Sequence, residues 1–209
     1  MTGVHGTDAI MEPVFQKDLS HLTWEQVYER QALRAPLVPA WLDALALKPD
    51  ARLLDIGAGP GYVSLILAEH LRVGGTVYAL DRSEAALAAL EQRRDAAGLR
   101  NLVTVCGDAA TYAAPGHPFD GALLTMVLQH ADAPQAILAN CTRLLRPGAP
   151  LVIAEFAPDG PCESGPPRDH RIEPKILARW CVEAGLTSEA AIRQSSEHYM
   201  IIARNCRPG

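Results

Sequence analysis

Residues 53–62 read LLDIGAGPGY. An apolar run ends in a glycine-rich turn, and YVSLILAEHL, residues 62–71, follows as a helix. A turn of this kind, between a strand and a helix, brings backbone N–H groups against a nucleotide ligand. Here a carboxylate, Asp55, stands in the strand two residues before the first glycine. A pyrophosphate beside it would be repelled, and would compete with it for the same N–H groups. The turn itself runs Gly57, Ala58, Gly59, Pro60, Gly61, Tyr62. A dinucleotide fingerprint needs a small residue where Tyr62 stands, and there is no Lys-Ser or Lys-Thr pair to hold a triphosphate. A cationic, phosphate-free nucleoside fits better. S-adenosylmethionine, with its ammonium, sulfonium and adenosine, is such a ligand.

Outward from this turn, strand and helix alternate. ARLLDI (51–56), TVYAL (76–80), LVTVC (102–106), FDGALLT (119–125) and APLVIAEF (149–156) read as strands. Between them, EAALAALEQRRDAAG (84–98) is a helix capped by Ser83 and stopped at Gly98. QAILANCTRLL (135–145) is another, with Asp132 and Pro134 as N-cap and first turn. EPKILARWCVEAG (173–185) ends on Gly185, and LTSEAAIRQ with HYMIIAR (198–204) supplies two edge strands, a helix over SEAAIRQ being the alternative. Before the first strand, Thr23 or Ser20 caps a short helix ended by Pro36, and Leu37, Trp41, Leu42 and Leu45 mark a second. The pattern is that of an α/β domain around a mostly parallel sheet.

Two more acids end strands. Asp81, with Arg82 beside it, closes the second, roughly 20 residues past the turn, where an acid takes ribose hydroxyls. Asp108 follows the third in Gly107-Asp108-Ala109, where its carboxylate can accept the adenine amino group and the Ala109 N–H can donate to the ring.

The 209 residues suit one domain with a short appendage, and 48% hydrophobic against 21% charged residues is an ordinary globular balance. A net charge of −5 weighs against a nucleic-acid partner. The five cysteines, 106, 141, 162, 181 and 206, form no CxxC pair or metal-spaced cluster, so no metal is expected and reduced thiols in the cytoplasm are. The first 13 residues lack the basic and apolar regions of a signal peptide, and no apolar run reaches the roughly 18 residues of a membrane span.

The segments LLDIGAGPG, YALD, CGDAA, FDGALLTMVLQH and LLRPGAPLVIAEF, within residues 51–156, together resemble class I S-adenosylmethionine-dependent methyltransferases. The nearest resemblance is to the small methyltransferase type 11 enzymes, related to quinone C-methyltransferases. It implies a Rossmann-like, doubly wound, seven-stranded, mostly parallel sheet with a C-terminal antiparallel hairpin. It implies cofactor contacts at Asp55, Gly57, Gly59 and Gly61, at Asp81, and at Asp108 with Ala109. Thr125 and Met126 would run beside the methionine part. The product would be S-adenosyl-L-homocysteine. TMVLQH departs from the Asn-Pro-Pro-Tyr type of sequence used on nucleic-acid amines, and Gln129-His130 stands where the family often has two histidines.

Residues 36–209 would form the methyltransferase domain, with 1–35 as a segment and helix able to act as a lid through Phe15, His21 and Trp24. Without a large insertion after the fifth strand, a small-molecule acceptor is expected; a homodimer is left open. The acceptor-side candidates are His130, Asp132, Glu155, His170 and Arg171. His130 follows the fourth strand. Glu155, buried at the end of the fifth, would have a raised pKa suited to a base. His170 and Arg171, in the loop stiffened by Gly165-Pro166-Pro167, form a pair able to hold an anion. Two other function classes share this sheet: a nicotinamide oxidoreductase and a non-catalytic S-adenosylmethionine-binding regulator.

Overall fold

The computed structural model describes residues 19 and 21–207. Its parallel strands are β1 (Arg52–Ile56), β2 (Thr76–Asp81), β3 (Leu102–Cys106), β4 (Gly121–Thr125) and β5 (Pro150–Phe156). They are followed by β6 (Leu186–Ser188), a two-residue β7 (Ile192–Arg193) and β8 (His198–Asn205). The sheet runs β3-β2-β1-β4-β5-β8-β6, with β7 pairing β8. β1 to β5 pair in parallel, and β8 lies antiparallel between β5 and β6. The seven-strand path with its antiparallel end is therefore present, and the tail after β6 adds β7 where a helix was the alternative.

The central strands β4 and β5 are buried except at Thr125, on the cavity edge, and apart from that residue and Glu155 they are apolar on both faces, as parallel strands under helices are. Successive side chains point to opposite faces: Leu53, Leu123 and Val152 join one core layer, Leu54, Leu124 and Ile153 the other. The first layer is completed by α2 (Val38–Leu45), α3 (Tyr62–His70) and α4 (Glu84–Ala96). The second is completed by α5 (Pro134–Leu144) and α6 (Pro174–Glu183). Ahead of them, α1 (Trp24–Ala32) starts in a capping box between Thr23 and Gln26.

Ser83 caps α4 as expected, its Oγ accepting from the Ala86 N–H at 3.2 Å. Asp132 does not cap α5. That position is Ala133, without a side-chain cap, and Pro134 opens the helix, so its missing N–H costs nothing there. Strand order reverses between β1 and β4, on either side of which the chain leaves the sheet at its carboxyl edge. That crevice is where an open α/β sheet binds ligands.

Candidate functional site

At the carboxyl ends of β1 to β5 lies a cavity of about 1110 Å³. Gly57, Gly59, Asp81, Arg82, Asp108, Ala109, Thr125, Met126 and His130 all line it. The glycines are there for space and backbone shape. Gly57 and Gly59 have φ of +71° and +56°, and a Cβ on Gly57 would stand 2.3 Å from Val127 on the β4 side.

Asp81 is wired into the turn. Its Oδ2 accepts from the Gly59 N–H at 2.8 Å and its Oδ1 from the Ser83 N–H at 2.9 Å. An ionised carboxylate has about four acceptor positions, so each oxygen retains one for a hydroxyl on the cavity side. Asp108 uses Oδ1 on the Ala110 N–H at 2.8 Å, which leaves its other oxygen for a donor such as an exocyclic amine. These residues fit an adenosine.

Other expected contacts stand off the cavity wall. Asp55 is 2% exposed; the Ser64 hydroxyl of α3 donates to it, and the pair ties strand to helix. Burial pushes its carboxyl up to about 7, the Ser64 bond opposing and neighbouring Asp81 adding to the shift. Buried, bonded to Ser64 and off the cavity wall, Asp55 is a structural tie between strand and helix, where its place in the sequence suggested a surface for a cation. Gly61 serves packing: a Cβ there would meet Leu90 of α4 at 2.0 Å. Thus the small residue needed between helices is present one place before Tyr62. Ala58 and Tyr62 are held from α1, the Gln31 amide donating to the Ala58 carbonyl and accepting from the Tyr62 N–H, both at 3.0 Å. Tyr28 packs edge-on against the Tyr62 ring.

Gln31 was not legible as a site residue, because it precedes its partners by 27 and 31 positions. Leu22, Trp24, Val27, Arg30 and Arg34 join it on the wall, as does His21, one of the three lid residues proposed; Phe15 lies outside the described residues.

Glu155 is fully buried and does not line the cavity. Its Oε1 accepts from the N–H groups of Val127 and Leu128, at 3.1 and 2.8 Å. Met126, just before them, has φ +54°, a left-handed conformation that costs a non-glycine residue about 1–3 kcal/mol. Its N–H donates to Ala154 at 2.8 Å. Glu155 therefore clamps a strained turn that carries Gln129 and His130 into the cavity; its Oε1 is spent on that, while its Oε2 is buried without a hydrogen-bond partner and off the cavity wall. Burial pushes its carboxyl up to about 8, the two backbone bonds and Arg34 opposing.

Arg171 is also a corrected expectation. Its guanidinium is buried, paired with Glu197, and donates to the carbonyls of Pro166, Ala157 and Ser164. Every one of these acceptors belongs to the protein, so the arginine staples the loop and has no face for an anion. Burial tends to raise the Glu197 carboxyl, but its bonds from Arg171 and the Glu163 and Ser164 N–H groups leave it below the ordinary range. His170 pairs with Asp169 off the cavity wall. The stapled loop does form the wall through Ser164, Gly165, Pro166 and Pro167. Gly165, at φ +78°, lies so close to the Phe156 ring that a Cβ would stand 2.4 Å from it.

Among the described residues, no cluster of three His, Cys, Asp or Glu side chains is placed to hold a metal ion, and no helix is long and apolar enough to cross a membrane. Only Cys162 of the described cysteines lines the cavity.

Residues 54–153 match the family described as "Methyltransferase domain". A ubiquinone biosynthesis O-methyltransferase of Thiobacillus denitrificans is 31% identical over 193 residues, covering 82% of this chain and 81% of that protein. Another, from Parvibaculum lavamentivorans, is 36% identical over 54% of this chain, which spans 44% of that relative's length. In structure, a SAM-dependent methyltransferase from Aquifex aeolicus superposes with a TM-score of 0.78 at 19% identity, over 87% of this chain and 98% of that one.

Proposed function

The chain belongs to the class I S-adenosylmethionine-dependent methyltransferases, and on that footing we propose that it transfers a methyl group from S-adenosylmethionine to a small-molecule acceptor. The observation that carries this is the wall shared by Gly57, Gly59, Asp81, Asp108 and Ala109 in one cavity. When bound, S-adenosylmethionine supplies an activated methyl carbon with its leaving group attached. The chain's residues then have to bind, align and exclude water. Asp81 takes the ribose hydroxyls and Asp108 the adenine amine. The backbone at Gly59 admits the methionine end, and Thr125 and Met126 run along it. His130, on the turn that Glu155 clamps, faces the acceptor and either positions it or takes its proton. Residues 21–34 cover this space as a lid.

Calorimetric titration tests the cofactor half of the proposal. S-adenosylhomocysteine should bind with NADH showing no heat; the reverse would turn the assignment to the nicotinamide class. A screen of small acceptors read by S-adenosylhomocysteine release tests the rest. With an acceptor in hand, His130→Ala should leave cofactor affinity near wild type. A fall in kcat of about 10²–10⁴ marks a base, and a rise in KM alone marks a positioning contact. Wild-type kcat and KM in that variant would remove His130 from the acceptor face. Cofactor binding without turnover on any acceptor would support the regulator instead.

A further inference from the structure

Two arginines lie over one ring. Arg171 is 5.1 Å and Arg34 5.4 Å from the centroid of Phe156. Arg171 has its donors satisfied by Glu197 and three carbonyls. The guanidinium of Arg34, by contrast, donates to no described residue and forms no ion pair within 4.0 Å, only its backbone N–H being bonded, to the Gln31 carbonyl; Phe156 is its ring contact, and it lines the cavity. This half-buried guanidinium turns five N–H donors toward the cavity, and a ligand that fills the space must answer them or leave them dry at a cost.

A second orphaned donor stands next to it. The His198 ring packs on the same Phe156, centroids 4.7 Å apart, and lines the cavity. Ser195 Oγ accepts from the N–H groups of Glu197 and His198, both at 3.1 Å, so its own proton goes to His198 Nδ1 at 3.0 Å. That bond places the imidazole proton on Nε2. Nε2 is buried and has no hydrogen-bond partner. Burial, the largest cause, with Arg34 adding, pulls this imidazole down to about 4, so it stays neutral and keeps one donor at neutral pH. Burial also lowers Arg34, to about 10, which leaves it cationic. The wall has carboxylates too, at Asp132 and Glu163, and a second cation at Arg30, while Leu19, Leu22, Trp24 and Val27 offer apolar surface.

We propose that Arg34 and the Nε2–H of His198, set around Phe156, form an acceptor subsite for a carboxylate, so that the methyl acceptor is an organic acid with an apolar body. A carboxylate matches the guanidinium fork with two parallel bonds and has lone pairs left for a third donor. This rests on the methyltransferase function proposed above and names its substrate class.

The test uses the full chain saturated with S-adenosylhomocysteine, titrated by calorimetry with benzoate, phenylacetate, cinnamate and octanoate, each beside its carboxamide. At least one acid should bind at least about tenfold more tightly than its amide. Arg34→Gln should erase that preference while the cofactor Kd stays within about twofold of wild type. Arg34→Lys, retaining the charge without the fork, should restore part of it. Equal binding or equal absence of binding for acid and amide across the set overturns the subsite, as does an Arg34→Gln chain that retains the preference. Should Arg34→Gln not fold, the wild-type pairs and Arg34→Lys decide. Failure of the wild type to bind S-adenosylhomocysteine at the outset sinks the methyltransferase proposal itself, and is seen before any acid is added.

Discussion

The wall that carries Gly57, Gly59, Asp81 and Asp108 is assembled from turns that each follow directly on one strand. The facing wall, with Arg34, His130, Phe156 and His198, is assembled from α1's end, the β4 turn, the end of β5 and the start of β8. On the first wall, neighbours in space are close in the chain or repeat one strand-turn-helix unit. On the second, partners are distant: the Phe156 ring, at the end of β5, meets Arg34 from before β1 and His198 from after α6. A contact set by local backbone shape leaves a motif. A contact set by which elements the sheet brings together leaves none.

The sharpest way to break this contrast is Gly59→Val. The residue sits at φ +56°, and a Cβ would already be 3.1 Å from the Gln31 amide. Valine adds two methyl groups on the cavity side and a conformational cost of about 1–2 kcal/mol. S-adenosylhomocysteine binding should fall by more than about 100-fold in a chain that still melts cooperatively. Near-normal affinity would mean that the nucleoside lies elsewhere and that the legible wall is only scaffolding.

A smaller effect is expected at Asp81. Asp81→Ala loses the proposed ribose bonds and also the two that hold Gly59 and Ser83. Hydrogen bonds to a charged group are worth about 1.5–3 kcal/mol each, so cofactor affinity should drop at least about tenfold. Asp81→Asn, which retains an acceptor oxygen and amide donors of the same shape, should lie between the two. A folded Asp81→Ala chain with unchanged affinity would withdraw the ribose role.

What was legible follows this line. The alternation of strands and helices, the glycine turn and the acids at positions 81 and 108 are written in local pattern, while the doubly wound sheet with its antiparallel end was what the resemblance implied. Asp55 was assigned outward because a carboxylate in a strand has no visible partner in the sequence; its partner, Ser64, is nine positions on, on a helix face that only packing reveals. Arg171 was given to a ligand because Glu197, which neutralises it, lies on the far side of α6. Gln31 and Arg34 carry no such signal, being polar residues in the last turn of an ordinary amphipathic helix and just beyond it.

Gln31 sharpens the comparison because it belongs to both walls. Its amide bonds reach the glycine turn, while its helix carries the acceptor-side apolar residues. Gln31→Leu retains the size and removes both bonds, worth about 0.5–1.5 kcal/mol each. Cofactor affinity should fall about threefold to tenfold, and proteolysis within residues 21–35 should become faster in the absence of cofactor. If affinity holds and proteolysis does not change, α1 is only packed nearby, and the lid proposed for it loses its anchor.

At Glu155 the expected effect is on stability and not on cofactor affinity, and it is one of pH. Burial lifts this carboxyl to about 8 from an ordinary value near 4.5. Between those values the folded chain holds a proton that the unfolded chain has released. Stability from this group is therefore whole below about pH 4.5 and is lost as pH rises through 8. Asp55, lifted to about 7, has the same sign, whereas His198, lowered to about 4, adds stability that is lost as pH falls from 6.5 to 4. Glu155→Gln retains an oxygen for the Val127 and Leu128 N–H groups and cannot ionise. Its Tm should match the wild type near pH 4.5 and exceed it increasingly toward pH 8.5, while the Asp55 and His198 contributions remain in both. Melting curves that stay parallel across that range would mean that Glu155 is ionised in the fold, with its unpartnered Oε2 answered by Arg34. Arg34 would then be occupied by the protein itself, and the contrast between a satisfied Arg171 and a waiting Arg34 would narrow.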